Sequence, residues 1–217
     1  MRRDLFDVGD GAHIPVHWHP SPAFSQKHLK DPYGKNESWI VLDTRPGART
    51  WIGWKEDVDP KDFRKWLEAQ DREEMLKHMH VVDPKPRDVI FLRDSFPHSL
   101  GSGVCIMEPQ EPTDWNILAE WKDFPFDKKD AACGLDWDVA MEAATFKTMP
   151  LDYLNGYVVQ RGKALGVATP VNHALLVLVR RRKTERQLAA RQAELAAAME
   201  TAKRSEERRV GKECEVP

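Results

Sequence analysis

The feature that most constrains the fold of this chain is an abrupt change of composition near Met149-Pro150. Residues 1 to about 148 hold all eight tryptophans and seven of the eight histidines, whereas residues 150–217 contain no tryptophan and are rich in Ala, Arg, Glu and Leu. Such a shift is typical of a boundary between two structural units. We therefore predict one unit over residues 1–148 and a second that starts at residue 150.

The first half is predicted to be mostly β-structure. Residues 38–42 and 49–54 are rich in β-branched and aromatic side chains and flank a Pro46-Gly47 turn, so they are predicted to pair as a hairpin. Residues 88–92 and 104–107 read as two more strands. One helical insertion interrupts the pattern: Asp59 is a plausible N-cap with Pro60 at the first helical position, and Asp71 with Glu74 resembles a second capping box.

The second half is predicted to be helical. Apolar residues at helical spacing indicate a helix over residues 151–165, and Gly166 suits its C-terminal cap. Thr169-Pro170 can start a second helix, which continues past Arg182 as a long polar helix and tail over 183–217. Strands followed by helices give an α+β fold class, with an all-α segment at the C-terminus.

Four potential metal ligands stand in the first half, namely His17, His19, Glu37 and His98. His17 and His19 are two residues apart, so on a strand both imidazoles point to one face. Three histidines and one carboxylate are suitable ligands for a divalent transition metal, and zinc is the metal that we expect. Each of these side chains alone is more often a hydrogen-bonded or surface group, and we expect that simpler role for the remaining histidines: His13, His28, His78, His80 and His173.

The order of these motifs resembles the cupin family of small antiparallel β-barrels. Gly11 and His17-x-His19 match the spacing G-x5-H-x-H, and Phe96-Pro97-His98 follows a strand, as in the second cupin motif. The delay before Glu37, together with VHWHP, GKNESWIVLDTRPG and RDVIFLRDSFPHSLGSG, resembles type I mannose-6-phosphate isomerase over about residues 5–146. The resemblance implies an antiparallel cupin barrel and leaves open whether the barrel closes, because the family has further strands before this segment.

The same resemblance implies the site residues and the chemistry. The family binds zinc through Gln, His, Glu and His, which fall on His17, His19, Glu37 and His98, with a histidine in place of the glutamine. Lys35 and Glu108 match its active-site lysine and carboxylate, and they imply an aldose–ketose isomerase acting on a sugar or sugar phosphate. Leu118 stands where the family has an active-site arginine, so a metal- and sugar-binding cupin without catalysis is the alternative.

Residues 150–182 resemble the C-terminal helical domain of ketopantoate reductase (2-dehydropantoate 2-reductase). The resemblance rests on Asp152, Asn155-Gly156, Leu165-Gly166 and Thr169-Pro170-Val171-Asn172. No G-x-G-x-x-G opens a βαβ unit in the chain, so a reductase activity is not expected. This fragment is expected to pack as a small helical module or to promote a homodimer. Whether the two parts are a natural fusion or a chimera, with a non-native tail, stays open.

Net charge, apolar runs and cysteine content limit the classes of binding partner and the cellular compartment that we expect. The formal net charge of −2 gives no basic field for nucleic acid. The longest apolar run, Ala174 to Val179, is far below the ~18 residues of a membrane span, so no membrane partner is expected. Three cysteines far apart indicate a reducing compartment. We therefore expect a cytoplasmic protein with a small-molecule ligand.

Overall fold

The structure, a computed structural model, describes residues 2–149 and, beyond them, only residues 163, 166, 191 and 192. The chain divides into two compact units, Met1–Pro150 and Leu151–Pro217. Lys163, Arg191 and Gln192 are helical, and Gly166 has a positive φ of 67°. The other positions of the predicted C-terminal helices lie outside the described residues, and the segment bounds at 148 and 182 stay predictions.

The first unit consists of short strands with helices inserted between them. The nine strands are β1 Arg2–Asp7, β2 His17–Trp18, β3 Glu37–Thr44, β4 Thr50–Trp54, β5 Met79–Val82, β6 Val89–Leu92, β7 His98–Leu100, β8 Val104–Gln110 and β9 Ile117–Leu118. The helices are α1 Pro22–Phe24, which runs into a π-helical turn at Ser25–Leu29, then α2 Pro60–Ala69, α3 Arg72–Lys77, α4 Lys128–Ala131 and α5 Trp137–Glu142. No helix among the described residues is long and apolar enough to cross a membrane.

The strands form two antiparallel sheets. One sheet has four strands in the order β1-β8-β3-β6, and the other has five in the order β5-β4-β7-β2-β9. The antiparallel, mixed α and β architecture agrees with the predicted class. Within residues 2–149 the strands form two separate sheets and no closed barrel, so the barrel whose closure the resemblance left open is incomplete in this part of the chain.

Alternation along β8 and along residues 37–41 of β3 places every second side chain in the interior. Strand β8 buries every second residue, from Val104 and Ile106 to Glu108 and Gln110, and β3 does the same with Glu37, Trp39 and Val41. Because successive side chains of a strand point to opposite faces, one end of this interior is apolar and the other end is polar. The carboxylates of Glu37 and Glu108 therefore point inward from neighbouring strands.

The predicted hairpin between residues 38–42 and 49–54 is wrong. Strand β3 pairs with β6 and β8, whereas β4 pairs with β5 and β7 in the other sheet. The turn that follows β3, closed by a hydrogen bond from the Ala48 amide to the Arg45 carbonyl, carries the chain from one sheet to the other. Both flanks of β3 are occupied by partners distant in sequence, which local turn chemistry does not reveal.

The helical insertion is present as predicted. The Asp59 side chain caps α2 by accepting from the Lys61 amide, Pro60 occupies the first turn, and Phe63 with Leu67 is buried. Asp71 caps α3 by accepting from the Glu74 amide. The reciprocal half of the capping box does not form, because the Asp71 amide donates to the Trp66 carbonyl and Glu74 pairs with Lys77.

A buried carboxylate fixes the strand that carries His17. Glu120 accepts from the Val16 amide at 2.6 Å, and its other oxygen lies 2.9 Å from His13 Nε2. The Arg72 guanidinium, which also lies over the Trp51 ring, approaches Glu120 at 3.4 Å. Because a buried charge needs partners, this cluster ties α3 to the chain immediately before β2.

We expect Glu120→Ala to lower the free energy of unfolding by about 3 kcal/mol, because it leaves the Arg72 charge and the Val16 amide without their buried acceptor. Chemical denaturation monitored by tryptophan fluorescence measures this loss. Lys65→Ala, which removes an exposed pair with Asp62, is the control and should leave the denaturation midpoint unchanged. Equal midpoints for wild type and Glu120→Ala would contradict this role.

Candidate metal centre

The four predicted ligands meet between the two sheets. His17 and His19 come from β2 and the residue that follows it, His98 opens β7, and Glu37 opens β3 of the opposite sheet. One ligand atom from each of the four lies within 4.8 Å of the others, and all four side chains are buried. On neighbouring strands, His17 stands directly opposite His98, which brings their ring centroids to 4.1 Å.

Hydrogen bonds to the backbone orient all three imidazole rings. The Nδ1 atom of His17 lies 2.7 Å from the Pro15 carbonyl oxygen, and that of His98 lies 2.8 Å from the Phe96 carbonyl oxygen. His19 Nδ1 lies 3.2 Å from the Trp115 carbonyl oxygen. A carbonyl oxygen only accepts, so Nδ1 carries the proton in each ring and the Nε2 lone pair faces the cluster.

The protonation states suit a cation. Burial lowers the pKa of His19 to about 4, and burial together with the neighbouring His98 and His19 lowers the pKa of His17 well below its ordinary value. Burial raises the pKa of Glu37, but the proximity of His19 and His98 outweighs the burial, so the net pKa lies well below its usual range. At neutral pH, His17 and His19 are therefore neutral and Glu37 is charged, as metal ligands must be.

The geometry leaves acceptors facing one another. His19 Nε2 lies 3.1 Å from His98 Nε2 and 2.9 Å from Glu37 Oε2. Glu37 Oε2 is buried and makes no hydrogen bond within the described residues. With each Nδ1 proton committed to a carbonyl, no proton of a neutral ring lies between these atoms. A divalent cation satisfies all of these lone pairs at once, so the donor set of three nitrogens and one carboxylate fits a metal such as zinc.

Lys35 and Glu108 lie beside the cluster. Lys35 Nζ is 3.1 Å from Glu37 Oε2 and 3.6 Å from Glu108 Oε1, and it donates to Asn116 Oδ1 at 2.9 Å. Burial first, and then the charge of Glu37, raises the pKa of Glu108 to about 7. The arrangement thus joins a cation, a carboxyl group that can exchange protons near neutrality, and the ligand cluster.

Sequence reasoning missed two residues of this site. The Trp39 indole N–H lies within hydrogen-bonding distance of both Glu37 Oε1, at 3.0 Å, and Glu108 Oε2, at 3.2 Å. Trp39 stands two residues after Glu37 on the same strand, so the alternation of side chains could have indicated it. Asn116, the partner of Lys35, lies in the loop that precedes β9, and no spacing rule points to it.

A cavity of about 110 Å³ opens next to the ligands. Its polar wall consists of His17, Lys35, Glu108 and Asn116, and Leu118 lies directly opposite His17 on the adjoining strand β9. The remaining wall is apolar and is formed by Phe6, Ile14, Trp39 and Leu100. Leu118 therefore lines the cavity, and Lys35 is the one lysine or arginine among the described residues that line it.

Comparison with known proteins relates the two parts of the chain to different families. The family model described as ketopantoate reductase PanE/ApbA C terminal matches residues 142–183. A 2-dehydropantoate 2-reductase from Pyrobaculum aerophilum is 49% identical over 45 residues, which cover 21% of this chain and 16% of that protein. These matches agree with the resemblance of the helical fragment.

The first part is similar to mannose-6-phosphate isomerases. The enzyme of that name from Streptococcus mutans is 27% identical over 126 residues, covering 58% of this chain and 36% of the relative. The crystal structure of the mannose 6-phosphate isomerase from Bacillus subtilis shares the fold, with a TM-score of 0.55 and 20% identity over 68% of this chain and 45% of that one. The chain spans about a third of the length of the mannose-6-phosphate isomerases it matches in sequence. It therefore joins a mannose-6-phosphate isomerase-like first part to a ketopantoate reductase-like C-terminal fragment.

Proposed function

We propose that the first unit is a metal-dependent aldose–ketose isomerase of the type that converts mannose 6-phosphate to fructose 6-phosphate. The observation that carries the proposal is the contact between the buried ligand cluster and the Lys35–Glu108 pair. A cation site alone indicates binding, whereas a cation site next to a carboxyl group with a pKa of about 7 supports proton transfer.

In this proposal one divalent ion, which we expect to be zinc, is bound by His17, His19, Glu37 and His98. When bound, the ion supplies a positive charge that polarises the carbonyl or adjacent hydroxyl oxygen of the open-chain sugar. The protein's part is to orient the three rings, which the backbone carbonyls do, and to keep His17 and His19 neutral, which burial does by lowering the pKa of each. Trp39 holds Glu37 and Glu108 in fixed positions by its indole N–H.

Glu108 is proposed to move the proton. As a carboxylate it takes the proton from C2 of the aldose, which gives an enediolate. The proton of the C2 hydroxyl then passes to the C1 oxygen, and Glu108, now a carboxylic acid, returns its proton to C1, so the reaction is balanced without another reactant. Burial keeps both protonation states accessible near neutral pH. Lys35 is proposed to donate to the sugar oxygen on which negative charge develops, since its ammonium group lies between Glu37 and Glu108.

A second candidate function is metal-dependent sugar binding without catalysis. Leu118 favours it, because an aliphatic side chain lines the cavity where the resembled family has an arginine, and leucine cannot bind a phosphate or stabilise an anion. The cavity volume of about 110 Å³ also lies below the ~300–1,000 Å³ of ordinary ligand pockets. In both candidates the reductase-like fragment has no catalytic role, and dimerisation through it stays a prediction.

Metal content is the first test. The purified full chain at neutral pH should carry about one divalent ion per chain by elemental analysis. His19→Ala should lower the affinity for that ion by at least about 100-fold, because it removes a ligand rather than a supporting group. His28→Ala is the control and should bind as wild type, since His28 packs on Phe24 outside the cluster. A metal-free wild-type protein would contradict the proposal that these four residues bind a metal ion.

Glu108→Gln separates catalysis from metal binding. The substitution keeps the shape of the side chain but removes its proton exchange, so turnover of mannose 6-phosphate should fall by about 10²–10⁴-fold while the metal content stays the same. Fructose 6-phosphate formation at fixed metal loading measures the effect, and Glu56→Gln on the surface is the control. Unchanged turnover in Glu108→Gln would exclude Glu108 as the proton carrier.

Leu118→Arg distinguishes the two candidate functions. If the first unit is an isomerase, the metal-loaded wild type should form fructose 6-phosphate, and an arginine in the cavity should increase the rate by strengthening anion binding. Leu118→Met, which keeps the volume without charge, should behave as wild type. Turnover by Leu118→Arg alone would establish the binding module instead, whereas identical behaviour of all three proteins would show that the arginine position does not matter.

A further inference from the structure

Strand β1 is an edge strand. Its sheet begins with β1, which pairs with β8 on one side, and among residues 2–149 no strand pairs with its other side. An exposed strand edge presents unpaired amide and carbonyl groups, which form a template for another strand. The sequence of β1, RRDLFD, carries charges of both signs around a central leucine.

Backbone direction identifies the residues that face the open edge. The Val8 amide donates to the Val104 carbonyl of the neighbouring chain segment at 3.0 Å. Because these directions alternate from residue to residue in an antiparallel ladder, Asp4 and Phe6 direct their amides and carbonyls towards β8. Arg3, Leu5 and Asp7 therefore direct theirs towards the open edge.

The side chains of the same three residues share the outer face of the sheet, since alternate residues of a strand lie on one face. All three are exposed, and Leu5 is the most exposed of the large apolar residues described, at 70%. The Asp7 carboxylate lies 3.3 Å from the Arg45 guanidinium, yet its side chain keeps 59% of its surface exposed. The edge thus presents a cation, an apolar residue and an anion at regular spacing.

This pattern is complementary to itself. If two copies of β1 pair antiparallel with Leu5 opposite Leu5, then Arg3 of each copy lies opposite Asp7 of the other. A shift of two residues, the smallest that keeps the same faces, places Leu5 opposite Arg3 or opposite Asp7 and loses both ion pairs. Opposite charges directly across a sheet stabilise it, so the register centred on Leu5 is favoured.

We propose that β1 is a homodimer interface that binds β1 of a second copy of this chain. The contact follows two-fold symmetry, as expected of an interface that pairs one surface with itself. It joins two four-stranded sheets into one sheet of eight strands. It also extends an apolar row that crosses each sheet in register, through Val89, Ile40, Met107 and Leu5.

Cross-linking at the two-fold axis tests the register. In a full-length chain with Cys105→Ser, which removes the native thiol on the strand paired with β1, Leu5→Cys should give a covalent dimer on mild oxidation. The Cα atoms of a hydrogen-bonded cross-strand pair lie about 5.5 Å apart, within the range of a disulfide. Arg3→Cys is the matched control: its two copies would lie about 13 Å apart and should stay unlinked. Equal cross-linking of both variants, or of neither, overturns the register.

Charge reversal tests the interface in solution. Sedimentation of the full chain should give a dimer, and Arg3→Asp or Asp7→Arg should raise its dissociation constant by about ten-fold or more, because each places like charges opposite each other twice. The double variant Arg3→Asp/Asp7→Arg should regain the dimer, although the contact of Asp7 with Arg45 stays lost. A monomeric wild type would overturn the proposal. So would a dimer that all three variants leave unchanged, because that dimer must form through another surface.

Discussion

The rest of the site depends on three hydrogen bonds from imidazole Nδ1 atoms to backbone carbonyls. They fix the tautomers of His17, His19 and His98 and turn each Nε2 lone pair towards one point. Because the acceptors are backbone atoms, the orientation of the rings is coupled directly to the fold. The cost of this order is electrostatic: lone pairs and a carboxylate stand close together in a buried place, which a cation would relieve.

The buried carboxylates of Glu37 and Glu108 are each in contact with a positively charged group and with a hydrogen-bond donor. Lys35 contacts one oxygen of each carboxylate, Glu37 Oε2 and Glu108 Oε1, and the Trp39 indole N–H contacts the other oxygen of each. The two carboxyl groups consequently differ: the pKa of Glu37 is held low, whereas that of Glu108 is raised to about 7. Two carboxyl groups with separated pKa values, one for binding and one for proton exchange, are the basis of the proposed chemistry.

Much of the local structure was predictable, because it rests on short-range rules. The cap at Asp59 and the strands around residues 38–42 and 104–107 follow from neighbouring residues alone. The pairing of these strands was not predictable in the same way. A turn at Pro46-Gly47 indicates a reversal of the chain, but β3 already has partners on both sides, so β4 enters the other sheet.

The sequence alone shows which donors are present: three histidines and a carboxylate in the order of a cupin, together with Lys35 and Glu108. Packing of distant strands brings the four ligand atoms within 4.8 Å of one another. It also gives Lys35 and Glu108 their contacts with Asn116 and Trp39, and it places Leu118 in the same cavity as His17. The reason is physical: residue types fix the chemistry that is possible, whereas distances, burial and the resulting pKa values arise when strands distant in sequence pack together.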